Sequence, residues 1–193
     1  MDYWQHLKST VSQIVELDDK TWEEFTSIWT IHEVKKGEAL TNTGEVEKNL
    51  YFVCEGVQRV YSIGDNLKEA TLVLTYPYSF AGVVDSFLLQ QPAKYSFETL
   101  SKSTFLKTSF NQLDKMIAED KNIDQFVKTA LYYAFSGLLE RMVDLQCKTS
   151  EEKFKTLLKR SPQVLQVVPQ KYLANYLGID PTNFSKLMHS VRF

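Results

Sequence analysis

QKYLANYLGIDPTNFSKLMH, residues 170–189, is the stretch on which the reading of this chain turns. It divides into two short helices and a tight bend. Lys171 to Leu177 predicts the first helix, and Gly178 ends it, because glycine enters the left-handed region without a Cβ clash. Asp180 offers a carboxylate as N-cap, and Pro181 stands at the first helical position, where a missing N–H costs nothing. The second helix is predicted from Pro181 to about Val191. Leu173, Leu177, Ile179, Phe184 and Leu187 face inward, and the small Ala174 marks the crossing. That combination is a helix-turn-helix pattern.

The outward face of the second helix is Thr182, Asn183, Ser185, Lys186 and His189. These side chains have the length and hydrogen-bonding groups suited to base edges and phosphates. A plain helical hairpin with a solvated polar face would carry the same pattern. Charge separates the two readings. From Lys148 onward eight cations face three anions, a net of +5 in a chain whose total is −2, which leaves −7 on the first 147 residues. A basic tail on an acidic front favours a polyanionic partner for the tail.

The 193 residues allow one large domain, or one domain with a smaller companion. No apolar run approaches the ~18 residues of a membrane span. The start, MDYWQHLKSTVSQ, lacks a basic leader and an apolar core, so no secretory signal is expected. Cys54 and Cys147 form no cluster and are expected as reduced thiols, which suits a cytoplasmic protein.

Upstream of the tail, residues 2 to about 29 carry helical spacing, with a break near Leu17-Asp18 and a cap at Asp18 or Asp19. From Ile31 the pattern becomes short β segments punctuated by glycines: Ile31–Lys35, Ala39–Thr41, Asn49–Cys54, Val57–Ser62, Glu69–Thr75, Lys94–Leu100 and Thr104–Ser109. Short strands at close intervals predict an antiparallel sandwich or barrel. SFAGVVDSFLLQQP interrupts them and is expected as a loop with a short helix, a plausible ligand cradle. A short helix over 110–120 and a long one from about Ile123 to Cys147 follow. Val127, Leu131, Ala134, Leu138 and Leu145 stripe the long helix, with Phe126, Ala130 and Tyr133 beside them. Two stripes suggest a second contact, most simply the same helix of a second copy. Gly137, at mid-helix, would let two backbones come close. Residues 151–160 predict another helix, and Gln163–Val168 a connector.

Helix, glycine-punctuated β-roll, long helix and helix-turn-helix, in that order, resemble the Crp/Fnr family of bacterial transcription regulators. The likeness rests on VKKGEALTNTGEVEKNLYFVCEGVQRVY (residues 34–61), with Gly37, Gly44 and Gly56 at the turns, and on VPQKYLANYLGIDPTNFSKL (residues 168–187). The latter is similar to short regulators of the Bacteroidetes type. The resemblance implies an α+β fold in three parts. A cyclic-nucleotide-binding-like jelly roll covers 1–122, a dimerisation helix 123–147, and an all-α helix-turn-helix domain 148–193. It implies a homodimer on an inverted-repeat promoter site in double-stranded DNA, no membrane and no enzymatic activity. Lys171, Lys186 and Arg192 would then meet phosphates, Thr182, Asn183 and Ser185 base edges, and His189 would lie further along.

Nucleotide-binding members of that family carry a glycine-glutamate pair in the insert and an arginine some ten residues on. Here Phe80, Ala81 and Gly82 match, but Val83 replaces the glutamate, and Ala93 or Lys94, followed by Tyr95, stands near the arginine position. Valine accepts no ribose hydrogen bond, and lysine holds an anion without bidentate geometry. Cyclic AMP is therefore expected to bind weakly or not at all, and no other cofactor is expected. Phe80, Gly82, Val83, Lys94 and Tyr95 remain cradle candidates for an unknown effector. The sequence ends at Phe193 directly after the second helix, so no contacts from a following β-hairpin wing are expected. An iron–sulfur sensor would need more cysteines. A cupin-like enzyme would need clustered ligands, and His6, His32 and His189 are scattered, so no metal is expected. A protein-interaction module that kept the shape and lost both ligands is the other alternative.

Overall fold

The computed structural model describes residues 2–64 and 66–190. Two helices open the chain, α1 (Tyr3–Ser12) and α2 (Asp19–Ser27). Asp18 is the cap of the second, accepting the Thr21 N–H at 2.8 Å. Eight strands follow: β1 (Thr30–Val34), β2 (Ala39–Thr41), β3 (Asn49–Glu55), β4 (Gln58–Ile63), β5 (Glu69–Thr75), β6 (Phe80–Ala81), β7 (Ser96–Thr99) and β8 (Ser103–Ser109). They form two four-stranded antiparallel sheets in the orders β1-β8-β3-β6 and β2-β7-β4-β5. Alternation along the strands sends Val34, Tyr51, Val53, Val60, Phe97 and Phe105 between the sheets as the roll's own core.

One expected loop is a strand. Phe80 and Ala81 pair with Phe52 and Tyr51. The segment is too short for its alternation to register in sequence. A short helix, α3 (Val84–Leu89), follows it as expected. The seventh strand starts at Ser96 rather than Lys94.

The other face of the first sheet is covered by helices. Leu7, Val11, Phe25 and Trp29 pack with Phe52 and Leu106, and α4 (Phe110–Glu119) adds Leu113 and Met116. The long helix α5 (Lys121–Cys147) enters this layer through Ile123 and Phe126 and then leaves it. Its exposed apolar strip is not the predicted one. Val127 packs on the layer below, Leu131 and Leu145 are half-buried in their own chain, and only Ala134 and Leu138 of the five stand exposed. The strip open to solvent is Tyr132, Phe135, Leu139 and Met142, at steps of three, four and three, with Leu138 and Val143 along its edges. It is not the second predicted stripe either: Phe126 is buried, Ala130 half-buried and Tyr133 exposed, because packing across the fold decides which residues the roll covers. A Cβ on Gly137 would meet no atom within 4 Å, so no close approach occurs there within the chain.

Four helices complete the fold: α6 (Ser150–Arg160), α7 (Val164–Val167), α8 (Gln170–Leu177) and α9 (Pro181–Ser190). The predicted connector thus holds a helical turn, α7. Thr149 and Glu152 form a reciprocal capping box on α6. Their shared core also takes in Val57 and Leu100 from the roll, so the two parts are packed, not merely strung together.

Candidate nucleic-acid interface and closed cradle

Gly178 has φ of 62°, and the Ile179 N–H reaches the Ala174 carbonyl at 2.9 Å, closing α8 with the left-handed cap its sequence announces. Asp180 Oδ1 accepts the N–H groups of Thr182 at 2.9 Å and Asn183 at 3.3 Å. Leu173, Ala174, Leu177, Ile179, Phe184 and Leu187 are all buried. Phe184 meets Phe154 of α6 edge-to-face at 5.4 Å between ring centroids. This packing leaves Thr182, Asn183, Ser185, Lys186 and His189 exposed along one rod.

The face has limits as well as donors. Lys186 is its one lysine or arginine among the described residues of α9. The Asp180 carboxylate occupies the first-turn N–H groups, so a phosphate would not be held there by the helix end. His189 donates Nδ1–H to the Ser185 carbonyl at 2.7 Å, which fixes its ring on the exposed face. Lys171 is exposed on α8 but rests 4.5 Å from the Tyr172 ring centroid. Arg192 lies outside the described residues.

The cradle residues come together around β6 and α3, and the chain fills the space itself. Val83 is 1% exposed and packs with Ala93, Phe97 and Tyr95 inside the roll. Phe80 turns the other way, into the helical layer against Trp29 and Phe126. Lys94 points to solvent. The mouth is zipped by backbone: Gly44 N–H to the Ala93 carbonyl, Ala93 N–H to the Glu45 carbonyl, and a bridge from Val46 to Pro92. At the back lies Glu47, which the sequence reading passed over. It is 1% exposed; its carboxylate accepts from Thr41 Oγ1 at 2.6 Å, Asn49 N–H at 3.1 Å and Val83 N–H at 3.4 Å. Burial holds its pKa above the ordinary carboxylate value, outweighing those donors. Asp85, exposed in the first turn of α3, adds a negative charge to that short helix.

Residues 31–120 match the cyclic nucleotide-binding domain family model. Among solved structures, FixK2 from Bradyrhizobium japonicum superposes with a TM-score of 0.73 at 15% identity, covering 84% of this chain and 83% of that one. A Crp/Fnr-family structure from Eubacterium rectale gives 0.68 at 14% identity, over 90% of this chain and 82% of its own. The c-di-GMP-responsive global regulator CLP of Xanthomonas campestris gives 0.64 at 15%, over 89% and 90%. The chain shares the fold of these regulators. No curated protein matches its sequence.

Within this architecture, three polar residues that sequence reasoning missed join the roll to the helix-turn-helix. β5 is an edge strand, and α8 covers that edge. Asn175 does the pairing: its Oδ1 accepts the Thr71 N–H, and its Nδ2 donates to the Glu69 carbonyl at 2.8 Å. A side-chain amide thus stands in for a neighbouring strand. Arg141 of α5 donates to the carbonyls of Thr71 at 3.1 Å and Tyr176 at 2.7 Å. Arg59, buried on β4, pairs with Glu98 at 2.6 Å and Glu69 at 2.7 Å. It lies over the rings of Tyr61 at 4.0 Å and Tyr172 at 4.5 Å. Burial opposes its charge, but the two carboxylates prevail and hold its pKa above the usual value. A buried arginine in a strand and an asparagine mid-helix were the available signals, and neither has a fixed motif.

Both cysteines are free thiols, and burial pushes Cys54 up to about 11, so it is not a reactive sensor. Among the described residues no cluster of three or more His, Cys, Asp or Glu is placed to hold a metal, and no helix is long and apolar enough to cross a membrane.

Proposed function

We propose that the protein is a dimeric DNA-binding transcription regulator whose roll does not answer to cyclic nucleotides. The observation that carries this reading is the fully packed helix-turn-helix that holds Thr182, Asn183, Ser185 and Lys186 outward on one helix. The Crp/Fnr fold of the whole chain supports it. The exposed strip on α5 supplies the face for a second copy. Two recognition helices then sit about 34 Å apart, one turn of duplex, which calls for an inverted-repeat site.

Selection from random duplex DNA tests the reading, with enrichment of a two-fold symmetric site expected. Lys186→Ala should then weaken every sequence alike and lower the salt slope by about one. Asn183→Ala should instead flatten preference at one base pair, by about 1–3 kcal/mol if its amide makes a bidentate contact. Parent-like binding by both variants would remove these role assignments. Failure to enrich any duplex would favour a protein-interaction module, a reading supported by the single lysine on α9 and by the Asp180 carboxylate at its start.

The same proposal predicts silence toward cyclic AMP. Calorimetric titration up to about 1 mM should give no saturable heat, since a ligand would have to displace Val83 and open the zipped mouth. Low-micromolar binding would defeat this part while leaving DNA recognition intact.

A further inference from the structure

A cavity of about 70 Å³ lies where β5, α5, α6 and α8 meet. Leu74, Leu145, Leu157 and Leu177 give it apolar wall, and Arg141 and Lys153 bring positive charge to it. The other charged groups at the cavity are already matched. Arg160 pairs with Glu140 at 2.9 Å, and Asp144 with Lys148 at 2.7 Å.

Arg141 is not matched. Its Nη2 donates to two carbonyl oxygens, but its Nε–H is buried without an acceptor. Among the described residues no carboxylate comes within ion-pair distance of it, and none of Lys153. Arg59, by contrast, is buried with two carboxylates. Burying a guanidinium without a counter-charge is costly, and an unfilled donor adds to the cost. Burial accordingly pushes Arg141 below the ordinary arginine pKa, with only Tyr176 opposing.

We infer that this cavity is a binding site for a small aliphatic carboxylate, with its anionic end at Arg141 and Lys153 and its chain against the leucines. Both Nη2 hydrogens of Arg141 already go to carbonyl oxygens, so Arg141 and Lys153 would hold the carboxylate by charge and single hydrogen bonds, not through the guanidinium fork. The mainly apolar wall favours a short hydrocarbon body over a bare inorganic anion. Such a ligand would brace Arg141, which already holds the Thr71 and Tyr176 carbonyls, and so tighten the seat of α8 on β5. In the regulator reading, on which this one consequence rests, the acid would be the effector that cyclic nucleotide is not.

The test uses the full chain and needs no DNA. Butyrate is titrated calorimetrically at constant ionic strength against chloride, with inorganic phosphate as the second probe. One butyrate per chain is expected, with Kd on the order of 1 mM for so small a ligand. Hydrogen exchange at the Thr71 amide should slow when it is bound. Arg141→Gln should abolish saturable binding. Because that change also removes part of the α8 seat, Leu157→Phe provides a second arm. It fills the cavity while leaving both cations, and should weaken butyrate at least tenfold without loss of fold. Absence of saturable butyrate binding in the parent would overturn the site. Parent-like affinity in Leu157→Phe would place the ligand elsewhere and equally overturn it. Phosphate binding as tightly as butyrate would overturn the assignment of an aliphatic body.

Discussion

The double substitution Leu139→Glu and Met142→Glu is expected to yield a monomer and to cut affinity for an inverted-repeat duplex by about a hundredfold or more. Both side chains lie on the strip of α5 that the fold leaves open; Phe135, near its middle, is 64% exposed. Neither side chain belongs to a core of its own chain, so the variant should still fold, as a single subunit that lacks only the stabilisation association gives the parent. In a dimer each glutamate would be buried against apolar neighbours and close to its own copy, a desolvation and like-charge penalty incurred together. Half-site contacts would remain intact, yet the second half-site would no longer be reached by an already tethered helix. Sedimentation and gel-shift titration on one preparation read both effects. A variant that stays dimeric would show that the copies meet on another surface.

Gly56→Ala is the substitution expected to cost the fold most. Gly56 turns the chain from β3 into β4 with φ of 91°, a region that side chains rarely enter. A Cβ there would stand 2.5 Å from the Lys102 carbonyl and 2.8 Å from Ser103 Cα. Backbone cannot swing aside as the end of a side chain can. Left-handed strain and overpacking together put the loss at about 3 kcal/mol or more. Alanine at Gly37, by contrast, meets no atom within 4 Å and bears only the strain. Chemical denaturation of the two variants beside the parent should therefore separate them, and equal losses would refute the steric argument.

These residues also show what the chain discloses before it is folded. Gly37, Gly44 and Gly56 all adopt positive φ, so turn punctuation was a sound guide to the roll. Gly178 and Asp180 mark the helix-turn-helix just as directly, because caps act within four residues of themselves. What sequence could not supply are matters settled across distance. Of the two stripes read on α5, Tyr133, Ala134 and Leu138 are exposed, but Tyr132, Phe135, Leu139 and Met142 were not foreseen, because the roll decides which side of the helix it covers. Glu47 carried no signal in the sequence, since its donors arrive from Thr41, Asn49 and Val83 only once the loop has closed. Asn175 and Thr71, more than a hundred positions apart, pair through a hydrogen bond that no local pattern announces.

That last contact has a bearing on how the protein could be dissected. A roll cut away after Cys147 would lose Asn175 and bare the polar backbone of β5, with Arg141 alone still reaching Thr71. An uncovered sheet margin invites strand-to-strand stacking between molecules. The isolated fragment should accordingly self-associate and precipitate at concentrations the intact chain tolerates, which makes the helix-turn-helix half a guardian of its neighbour's solubility.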